Sequence, residues 1–324
     1  MSGLLPAGLR TALDRLAEGV SRGDAAARAA DISRRYRAGG NSAGITRASD
    51  ALAYALARMP ATYAAAAACL DALGERMPGF APESLLDVGA GPGTASWAAA
   101  QTFDTLRSLT MIDANPALRE LARHLADSDP GFPDLRIRAG QAVAEVAAAE
   151  PADLVVASYV LGELDARDQV DLADAMWRKT SAVLLVIEPG TPAGSRRILA
   201  LRDRLLAAGA HVIAPCPADL PCPLREPDWC HFSVRLARSR DHKLLKGAEA
   251  PFEDEKFSYV ALQRMPLPAG DARVLAPPRV GKVEIAAKLC TPGGLVFETI
   301  VRRNKPGYAA ARRWRWGDAV ARGE

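Results

Sequence analysis

Long hydrophobic runs are absent from this sequence of 324 residues, and so are internal repeats and low-complexity tracts. Without a run of about 18 apolar residues, no membrane-spanning helix is expected. The N-terminus has no apolar segment followed by a small-residue cleavage site, which argues against secretion. Residues 1–40 are rich in arginine, as in a transit peptide, but they also contain acidic residues. We therefore predict a cytoplasmic protein, with the mitochondrial matrix as the alternative.

Cysteine is scarce as well, since the chain has five. Three of them, Cys216, Cys222 and Cys230, lie within fifteen residues of a proline-rich segment, and Cys290 follows after fifty-nine more residues. Thiols stay reduced in the cytoplasm, where clustered cysteines are more often metal ligands than disulfides. Four thiolates suit zinc or an iron–sulfur cluster, although the C-x5-C-x7-C spacing lacks the short knuckle of structural zinc sites. Four unrelated reduced cysteines are the remaining interpretation.

The composition is that of a folded globular protein, with an apolar share of 49% and a charged share of 24%. Residues 1–80 have the apolar spacing and the alanine content of helices. Within residues 81–210, apolar runs alternate with segments of helical composition, which predicts a parallel sheet covered on both faces. Residues 211–324 begin with the cysteines and continue with β-type runs. We therefore predict an α/β protein in which a helical region precedes a doubly wound sheet and a cysteine-ligated, β-rich module follows it.

The strongest local motif is LLDVGAGPGTAS at residues 85–96, where a buried strand leads into a glycine-rich turn and a helix. Glycines let a ligand approach closely, and a helix N-terminus offers free N–H groups. A dinucleotide fingerprint would require Gly or Ala at position 94, which is Thr94. The run D-x-G-x-G-x-G instead resembles the first motif of class I S-adenosylmethionine-dependent methyltransferases. The cofactor-binding residues expected from this resemblance are Asp87, Gly89, Gly91, Gly93, Thr94, Asp113 for the ribose and Gln141 for the adenine.

Catalytic residues would be expected after the fourth strand. In this fold the cofactor carries the electrophile, so the protein must orient and deprotonate a nucleophile on the substrate. The segment ASYVLGELD at residues 157–165 has neither the N/D-P-P-Y/F signature for exocyclic amino groups nor a Pro-Cys pair. The candidates are Tyr159, Glu163 and, after the fifth strand, Glu188. Each has an alternative interpretation as a hydrogen-bonding tyrosine or a helix-capping acid, so the sequence alone does not establish catalysis.

The C-terminal part of the chain is basic. Residues 225–324 contain 19 Lys and Arg against 12 Asp and Glu, while the whole chain has a net charge of +3. Arginines suit phosphates and aromatic rings suit unpaired bases, so the run VRRNKPGYAAARRWRWGD at residues 301–318 predicts RNA binding. The alternative is an ordinary solvated surface. The predicted RNA-binding residues are Arg302, Arg303, Lys305, Arg312, Arg313, Trp314, Arg315 and Trp316.

These motifs together resemble the Rsm22 family, the mitochondrial and bacterial methyltransferase-like proteins associated with the small ribosomal subunit. The matching segments are ARMPATYAA (57–65), LLDVGAGPGTAS (85–96), SYVLGEL (158–164), LVIEPGTPAG (185–194), PCPADLPCPLREPDWCHFSVRL (215–236) and the distal Cys290. One departure is Ala218, where a histidine is expected in relatives of the PCPH type.

The resemblance implies a [4Fe–4S] cluster held by Cys216, Cys222, Cys230 and Cys290, and S-adenosylmethionine in the α/β domain. It also implies action on the rRNA of the small ribosomal subunit, either as a methyltransferase or as a non-catalytic assembly factor. In a bacterium, the location would be the cytoplasm. A zinc-containing methyltransferase of small molecules is a third hypothesis, which fits the basic, aromatic tail poorly. Nothing in the sequence indicates a coiled coil or repeat interface, so we expect a monomer with no membrane or DNA partner.

Overall fold

The computed structural model describes residues 4–238 and 240–321. Its first part is helical, and it consists of α1 (Ala7–Ala17), α2 (Arg22–Arg37), a short 3-10 turn at Ser42–Gly44 and α3 (Ala48–Arg76). Helix α3 is rich in alanine and largely buried, because small side chains let it lie close to its neighbours on several sides. Within the described residues, no helix combines the length and the apolar character needed to cross a membrane.

Strands and helices then alternate, as the apolar runs predict. The elements are β1 (Ser84–Val88), α4 (Thr94–Thr102), β2 (Ser108–Asp113), α5 (Pro116–Asp127), β3 (Asp134–Ala139), α6 (Ala142–Ala147), β4 (Ala152–Ser158), α7 (Ala166–Lys179), β5 (Thr180–Pro189), α8 (Pro192–Ala207) and β6 (His211–Ala214). The first five strands are parallel, in the order β3-β2-β1-β4-β5. Helices α3, α4 and α5 cover one face, and α6, α7 and α8 cover the other. The predicted doubly wound, Rossmann-like parallel sheet is confirmed.

The sheet continues beyond residue 210, where we expected the α/β domain to end. After β6 come β7 (Phe232–Ala237), α9 (Arg240–Lys246) and β8 (Phe252–Gln263). Strand β8 lies antiparallel between β5 on one side and β6 and β7 on the other. The three strands therefore belong to the larger sheet, which has eight strands within the described residues.

The cysteine-rich segment occupies a gap at the edge of β8. Strand β6 pairs with β8 as far as Ala261, and β7 begins its pairing at Phe257. Both strands lie on the same side of β8, so the chain between them, residues 215–231, loops out beside Ser258, Tyr259 and Val260. The side chain of Ser258 donates a hydrogen bond of 2.7 Å to the carbonyl of Cys230.

A second, antiparallel sheet follows, which accounts for the β-type runs at the end of the chain. It contains β9 (Ala272–Val274), β10 (Arg279–Val280), β11 (Glu284–Thr291), β12 (Gly294–Val301) and β13 (Ala319–Val320), and α10 (Lys305–Ala311) lies between the last two. Strands β11 and β12 form the hairpin, with Thr291 opposite Gly294 at the turn. Cys290 lies on β11 and pairs with Arg273 on β9. This sheet is the β-rich part expected at the C-terminus.

Gly190 allows β8 to pass close to the end of β5. A Cβ at this position would lie 2.7 Å from the backbone of Lys256 and Phe257, and neither of these backbone atoms can turn aside. Gly190→Ala is therefore expected to lower the free energy of unfolding by roughly 1–3 kcal/mol through overpacking. Urea denaturation of the purified variant measures this loss.

Gly74, inside α3, provides the matched control, because a Cβ there would meet no atom within 4 Å. Gly74→Ala should raise the free energy of unfolding by roughly 0.5–1 kcal/mol, since alanine restricts the unfolded chain and favours a helix. Equal effects of the two substitutions would contradict the close approach of β5 and β8.

Candidate cofactor cavity and cysteine cavity

The glycine-rich turn after β1 forms the floor of a large cavity at the C-terminal end of the parallel strands. Gly91 has a φ of +55°, and a Cβ at this position would point into open space. At Gly89, also with positive φ, a Cβ would lie 2.4 Å from Val160. Gly93 begins α4 and packs against Met111, where a Cβ would lie 2.6 Å from the methionine methyl. The turn thus leaves room for a ligand only at Gly91, and the other two glycines fit protein neighbours.

Asp87, the acidic residue of β1, is 1% exposed, and one of its carboxylate oxygens accepts no hydrogen bond from the described residues. Its Oδ2 accepts hydrogen bonds from the backbone N–H and the hydroxyl of Ser96, at 3.1 and 2.6 Å. Its Oδ1 is buried and has no hydrogen-bond partner in the described part of the chain. Burial outweighs the bonds from Ser96 and raises the pKa of Asp87 to about 6. An unsatisfied buried acceptor beside a cavity suits a ligand that brings a cation or a donor.

Asp113, at the end of β2, ties the glycine turn to the second strand. Its Oδ2 accepts a hydrogen bond of 2.7 Å from the Gly91 N–H, and its Oδ1 accepts one of 2.7 Å from the Asn115 N–H. Burial raises the pKa of Asp113 despite these two bonds. Asn115 in turn donates to the carbonyls of Ser42 and Ile45, which fixes the segment before α3 over the cavity.

The cavity has a volume of about 500 Å³ and contains most of the predicted cofactor-binding residues. Those that line it are Asp87, Gly89, Gly91, Thr94, Asp113 and Gln141. The sequence did not indicate that Tyr36, Ser42 and Tyr54 from the helical region form the opposite wall. The local sequence around these residues resembles any amphipathic helix and its turn, so their role becomes visible only from the tertiary packing.

Tyr159 and Glu163 line the same cavity, and both have partners. Tyr159 has a φ of +62° and donates its hydroxyl to Glu255 Oε1 at 3.1 Å. Burial, followed by the charge of Glu255, raises its pKa well above the ordinary tyrosine value. Glu163 Oε2 accepts from the backbone N–H and the hydroxyl of Ser42, at 2.9 and 3.0 Å, and burial raises the pKa of this carboxyl group.

Glu188, the third catalytic candidate, does not line the cavity. It is fully buried, accepts a hydrogen bond from the Leu161 N–H at 3.0 Å and forms an ion pair of 2.7 Å with Arg197. These contacts fasten β5 and α8 to the turn at Leu161–Glu163. They fit the alternative interpretation of Glu188 as a capping acid.

A second cavity, of about 240 Å³, is lined by all four predicted metal ligands. Cys216, Cys222 and Cys230 come from the loop between β6 and β7, while Cys290 comes from β11. Burial raises the pKa of each of Cys216, Cys230 and Cys290, to about 12 for the last. Any ligand that requires thiolates must therefore displace their protons.

The thiols line this cavity without converging on one point. Within residues 4–238 and 240–321, no three His, Cys, Asp or Glu side chains are close enough together to hold a metal ion. Cys69, the fifth cysteine, lies apart on the buried side of α3. Ala218 lines the cavity, so the departure from the PCPH pattern falls at the site itself.

The basic tail runs over the second sheet and contacts the cysteine loop. Its cations Arg302, Arg303, Lys305, Arg312, Arg313 and Arg315 are all exposed. Trp314 and Trp316, also predicted to bind RNA, are half-buried. The Trp316 indole N–H donates to the His231 carbonyl at 2.9 Å, and its ring meets the imidazole edge-on at 4.7 Å. Trp314 packs against the core of the small sheet.

Comparisons with known proteins agree with the resemblance found in the sequence. A family model described as "Mitochondrial small ribosomal subunit Rsm22" matches residues 48–321. The human "Ribosome assembly protein METTL17, mitochondrial" is 29% identical over 287 residues, covering 83% of this chain and 62% of the human protein. The "Rsm22-cox11 tandem protein 2, mitochondrial" of Schizosaccharomyces pombe is 23% identical over 288 residues, covering 73% and 38%. The chain thus spans less than two thirds of the length of these curated relatives.

Solved structures that resemble the chain include methyltransferases. A precorrin-6y C5,15-methyltransferase from Geobacter metallireducens superposes with a TM-score of 0.41 at 14% identity, over 61% of this chain and 87% of that one. A magnesium protoporphyrin IX methyltransferase from Synechocystis superposes with a TM-score of 0.39 at 10% identity, over 64% and 84%. The family model, by contrast, spans both sheets, and on this evidence the chain belongs to the Rsm22 family.

Proposed function

We propose that this chain assists assembly of the small ribosomal subunit by binding its rRNA, with S-adenosylmethionine in the first cavity and a [4Fe–4S] cluster in the second. The observation that carries the proposal is that four cysteines from two distant segments line one cavity, and that the basic tail contacts the cysteine loop through Trp316 and His231. The human relative is described as a ribosome assembly protein, which supports the same role here. The relatives' names also favour the mitochondrial matrix over the cytoplasm that we expected.

The residues of the first cavity fit the chemical groups of S-adenosylmethionine. The unengaged Oδ1 of Asp87 suits the ammonium of the methionine portion, and the open space at Gly91 admits a ligand against the backbone. Asp113 keeps further lone pairs for hydroxyl donors, as a ribose requires. When bound, this cofactor supplies an electrophilic methyl group. The protein's own contribution would be to hold and orient it.

An assembly role without methyl transfer fits the state of the candidate bases. A general base must have a lone pair within reach of the substrate proton. The Tyr159 hydroxyl is directed at Glu255, and the Glu163 carboxylate is held by Ser42. Glu188 lies outside the cavity, paired with Arg197. Each candidate therefore has a structural partner that would have to be displaced before catalysis.

The residues of the second cavity fit a group bound through sulfur. Four cysteine thiolates are the usual ligand set of a [4Fe–4S] cluster. Because Cys290 belongs to the second sheet and the other ligands to the loop beside β8, a group bound by all four would fasten that sheet to the larger one. Its role would then be structural, and its assembly would be coupled to folding.

The first prediction of this proposal concerns pH. The folded pKa of Asp87, about 6, lies above the unfolded value of about 3.9, so the stabilising contribution is complete below pH 3.9 and is lost as pH rises through 6. Asp87→Asn should remove roughly 3 kcal/mol of this pH dependence from the ligand-free protein. Denaturant titrations of both proteins at several pH values between 3.5 and 7.5 measure the difference.

Asp104→Asn serves as the control, because Asp104 is exposed and lies outside the cofactor cavity. If Asp87 receives the cofactor ammonium, Asp87→Asn should also weaken S-adenosylmethionine binding, measured by calorimetry at pH 7.5. Unchanged affinity with an unchanged pH profile would contradict the assignment of Asp87.

The second prediction concerns metal content. Protein purified without oxygen should contain about four irons and four acid-labile sulfides per chain. Cys222→Ser should lose both and loosen the second sheet, while the α/β sheet stays folded. Cys69→Ala is the matched control, because this cysteine is buried in the core away from the cavity. One zinc without sulfide would rule out the cluster, and a Cys222→Ser protein with full iron content would rule out Cys222 as a required ligand.

The third prediction concerns RNA. Replacing Arg302, Arg303, Arg312 and Arg313 by Gln should weaken binding to immature small subunits. The slope of log affinity against log salt should fall in magnitude by about 3, since each contact to single-stranded phosphate contributes roughly 0.7. The control replaces the exposed Arg107, Arg123, Arg167 and Arg196 of the α/β sheet and its helices. An equal loss in the control protein would refute a specific role for the tail.

The same immature subunits separate assembly from methylation. Under single-turnover conditions with labelled S-adenosylmethionine, the assembly role predicts tight subunit binding and no label in the rRNA. Transfer of label that Tyr159→Phe abolishes would establish the enzyme instead. A protein that does not bind RNA but transfers the label to small molecules would leave the hypothesis of a small-molecule methyltransferase.

A further inference from the structure

Two arginines are buried at the cavity that the four cysteines line. Arg202 on α8 is 1% exposed and Arg273 on β9 is 4% exposed, and both line the cysteine cavity. Among the described residues that line this cavity there is no aspartate, glutamate or lysine. Burying a guanidinium away from water is costly unless an anion accompanies it. The cavity therefore holds two positive charges without a carboxylate among its lining residues.

Within the described part of the chain, two of the three guanidinium nitrogens of Arg202 have partners, and the third does not. Its Nη2 donates to the Leu220 carbonyl at 2.5 Å and reaches the Ala218 carbonyl at 3.5 Å. Its Nη1 forms an ion pair of 2.6 Å with Asp203, which is 62% exposed and therefore well screened by water. The Nε–H is buried and has no partner in the described residues.

Arg273 has still less compensation. Its Nε donates to the Pro215 carbonyl at 3.1 Å, and its Nη1 donates to the Gly317 carbonyl at 2.7 Å. Within residues 4–238 and 240–321, Arg273 takes part in no ion pair. Carbonyl dipoles orient a guanidinium but carry no charge that could balance it.

We propose that Arg202 and Arg273 are the charge-balancing pair of the cysteine cavity, arranged for a bound group with a net charge of about minus two. This inference rests on the proposed [4Fe–4S] cluster. Two ferric and two ferrous ions, four sulfides and four thiolates sum to about minus two in the usual oxidised state. The two buried cations match that charge, and the unengaged Nε–H of Arg202 offers one further donor.

The same two arginines also shape the loop that carries the first two ligands. The carbonyls that they hold belong to Pro215, Ala218 and Leu220, which flank Cys216 and precede Cys222. A substitution can therefore act through charge or through loop geometry. Lysine keeps the charge and loses the forked donors, whereas methionine loses both, so the two replacements separate these effects.

The pair should have a measurable effect on reduction. Adding an electron makes the bound group more negative, and nearby positive charge favours that state. Removing one arginine should lower the midpoint potential of the cluster. We expect Arg202→Met and Arg273→Met each to reduce the ratio of reduced to oxidised cluster at fixed potential by at least tenfold, which corresponds to 59 mV for a one-electron couple.

The experiment is an anaerobic redox titration, followed by electron paramagnetic resonance, of the full chain. It compares wild type, Arg202→Met, Arg273→Met, Arg202→Lys and Arg273→Lys, with iron and sulfide measured on every sample. Arg204→Met is the control, because Arg204 lies on the same helix but is paired with Asp174 outside the cavity. The lysine variants and the control should keep potentials near wild type.

The outcomes distinguish this inference from the proposed function. A wild-type protein without iron and sulfide would remove the proposed function, and the inference with it. If the wild type contains the cluster and the methionine variants keep its midpoint potential, charge balance is refuted while the proposed function stands. Should the methionine variants fail to fold, the lysine variants decide. Lysine variants that contain the cluster and keep the wild-type potential support a role of the arginine charge. Lysine variants that bind no cluster leave only a role in shaping the loop, and they overturn the charge-balance inference.

Discussion

The structure depends on one strand, β8, which is inserted antiparallel in the sheet. Strand β5 lies on one side of it, and β6 and β7 lie one after the other along its other side. Along β8 the side chains alternate strictly, with Phe257, Tyr259 and Ala261 in the core under α3 and Val260 and Leu262 in the core on the opposite face. A slip of one residue would exchange these two sets between the faces and move the exposed Lys256 into the buried position of Phe257. The register is therefore strongly specified by burial on both faces.

That register also fixes the two candidate sites relative to each other. Glu255, near the start of β8, accepts the Tyr159 hydroxyl at the wall of the cofactor cavity. Three residues later, Ser258 holds the Cys230 carbonyl at the cysteine cavity. The gap between β6 and β7 lies over the same stretch of β8. One strand thus joins both cavities, and a disturbance of its pairing would reach both.

The second sheet is small, and its position depends on contacts at its edge. Its main core contains Ala272, Val274, Ala287, Leu289 and Val320, most of which have short side chains. So little buried apolar surface contributes modest stability. Contacts to the cysteine loop compensate, through Arg273 with Pro215 and Trp316 with His231. A group bound by Cys290 and the loop cysteines would close a long chain segment at this same edge.

Local patterns in the sequence were sufficient for the parallel strands and the glycine turn, because buried strands and tight turns have short-range signatures. The pairing of β8 was not predicted, and the expected boundary at residue 210 misses it, since an antiparallel insertion depends on partners about seventy residues apart. The grouping of the four cysteines as candidates for one site came from their clustering in the sequence. The arginines beside them were not, because the sequence around Arg202 and Arg273 gives no sign that these charges are buried.

The backbone of Tyr159 is strained, and its contacts show what that strain does for the cavity. A left-handed backbone at a bulky residue costs roughly 1–3 kcal/mol and persists only where the surroundings impose it. Here the Tyr159 N–H donates to the Ile187 carbonyl at 2.7 Å, and the hydroxyl is held by Glu255. Glu255 also pairs with Arg58 of α3 at 3.2 Å. The strained residue thus joins β4, β5, β8 and α3 around the cavity. Because its hydroxyl completes that connection, the strain serves the shape of the cavity, and a proton acceptor for a substrate would have to come from elsewhere.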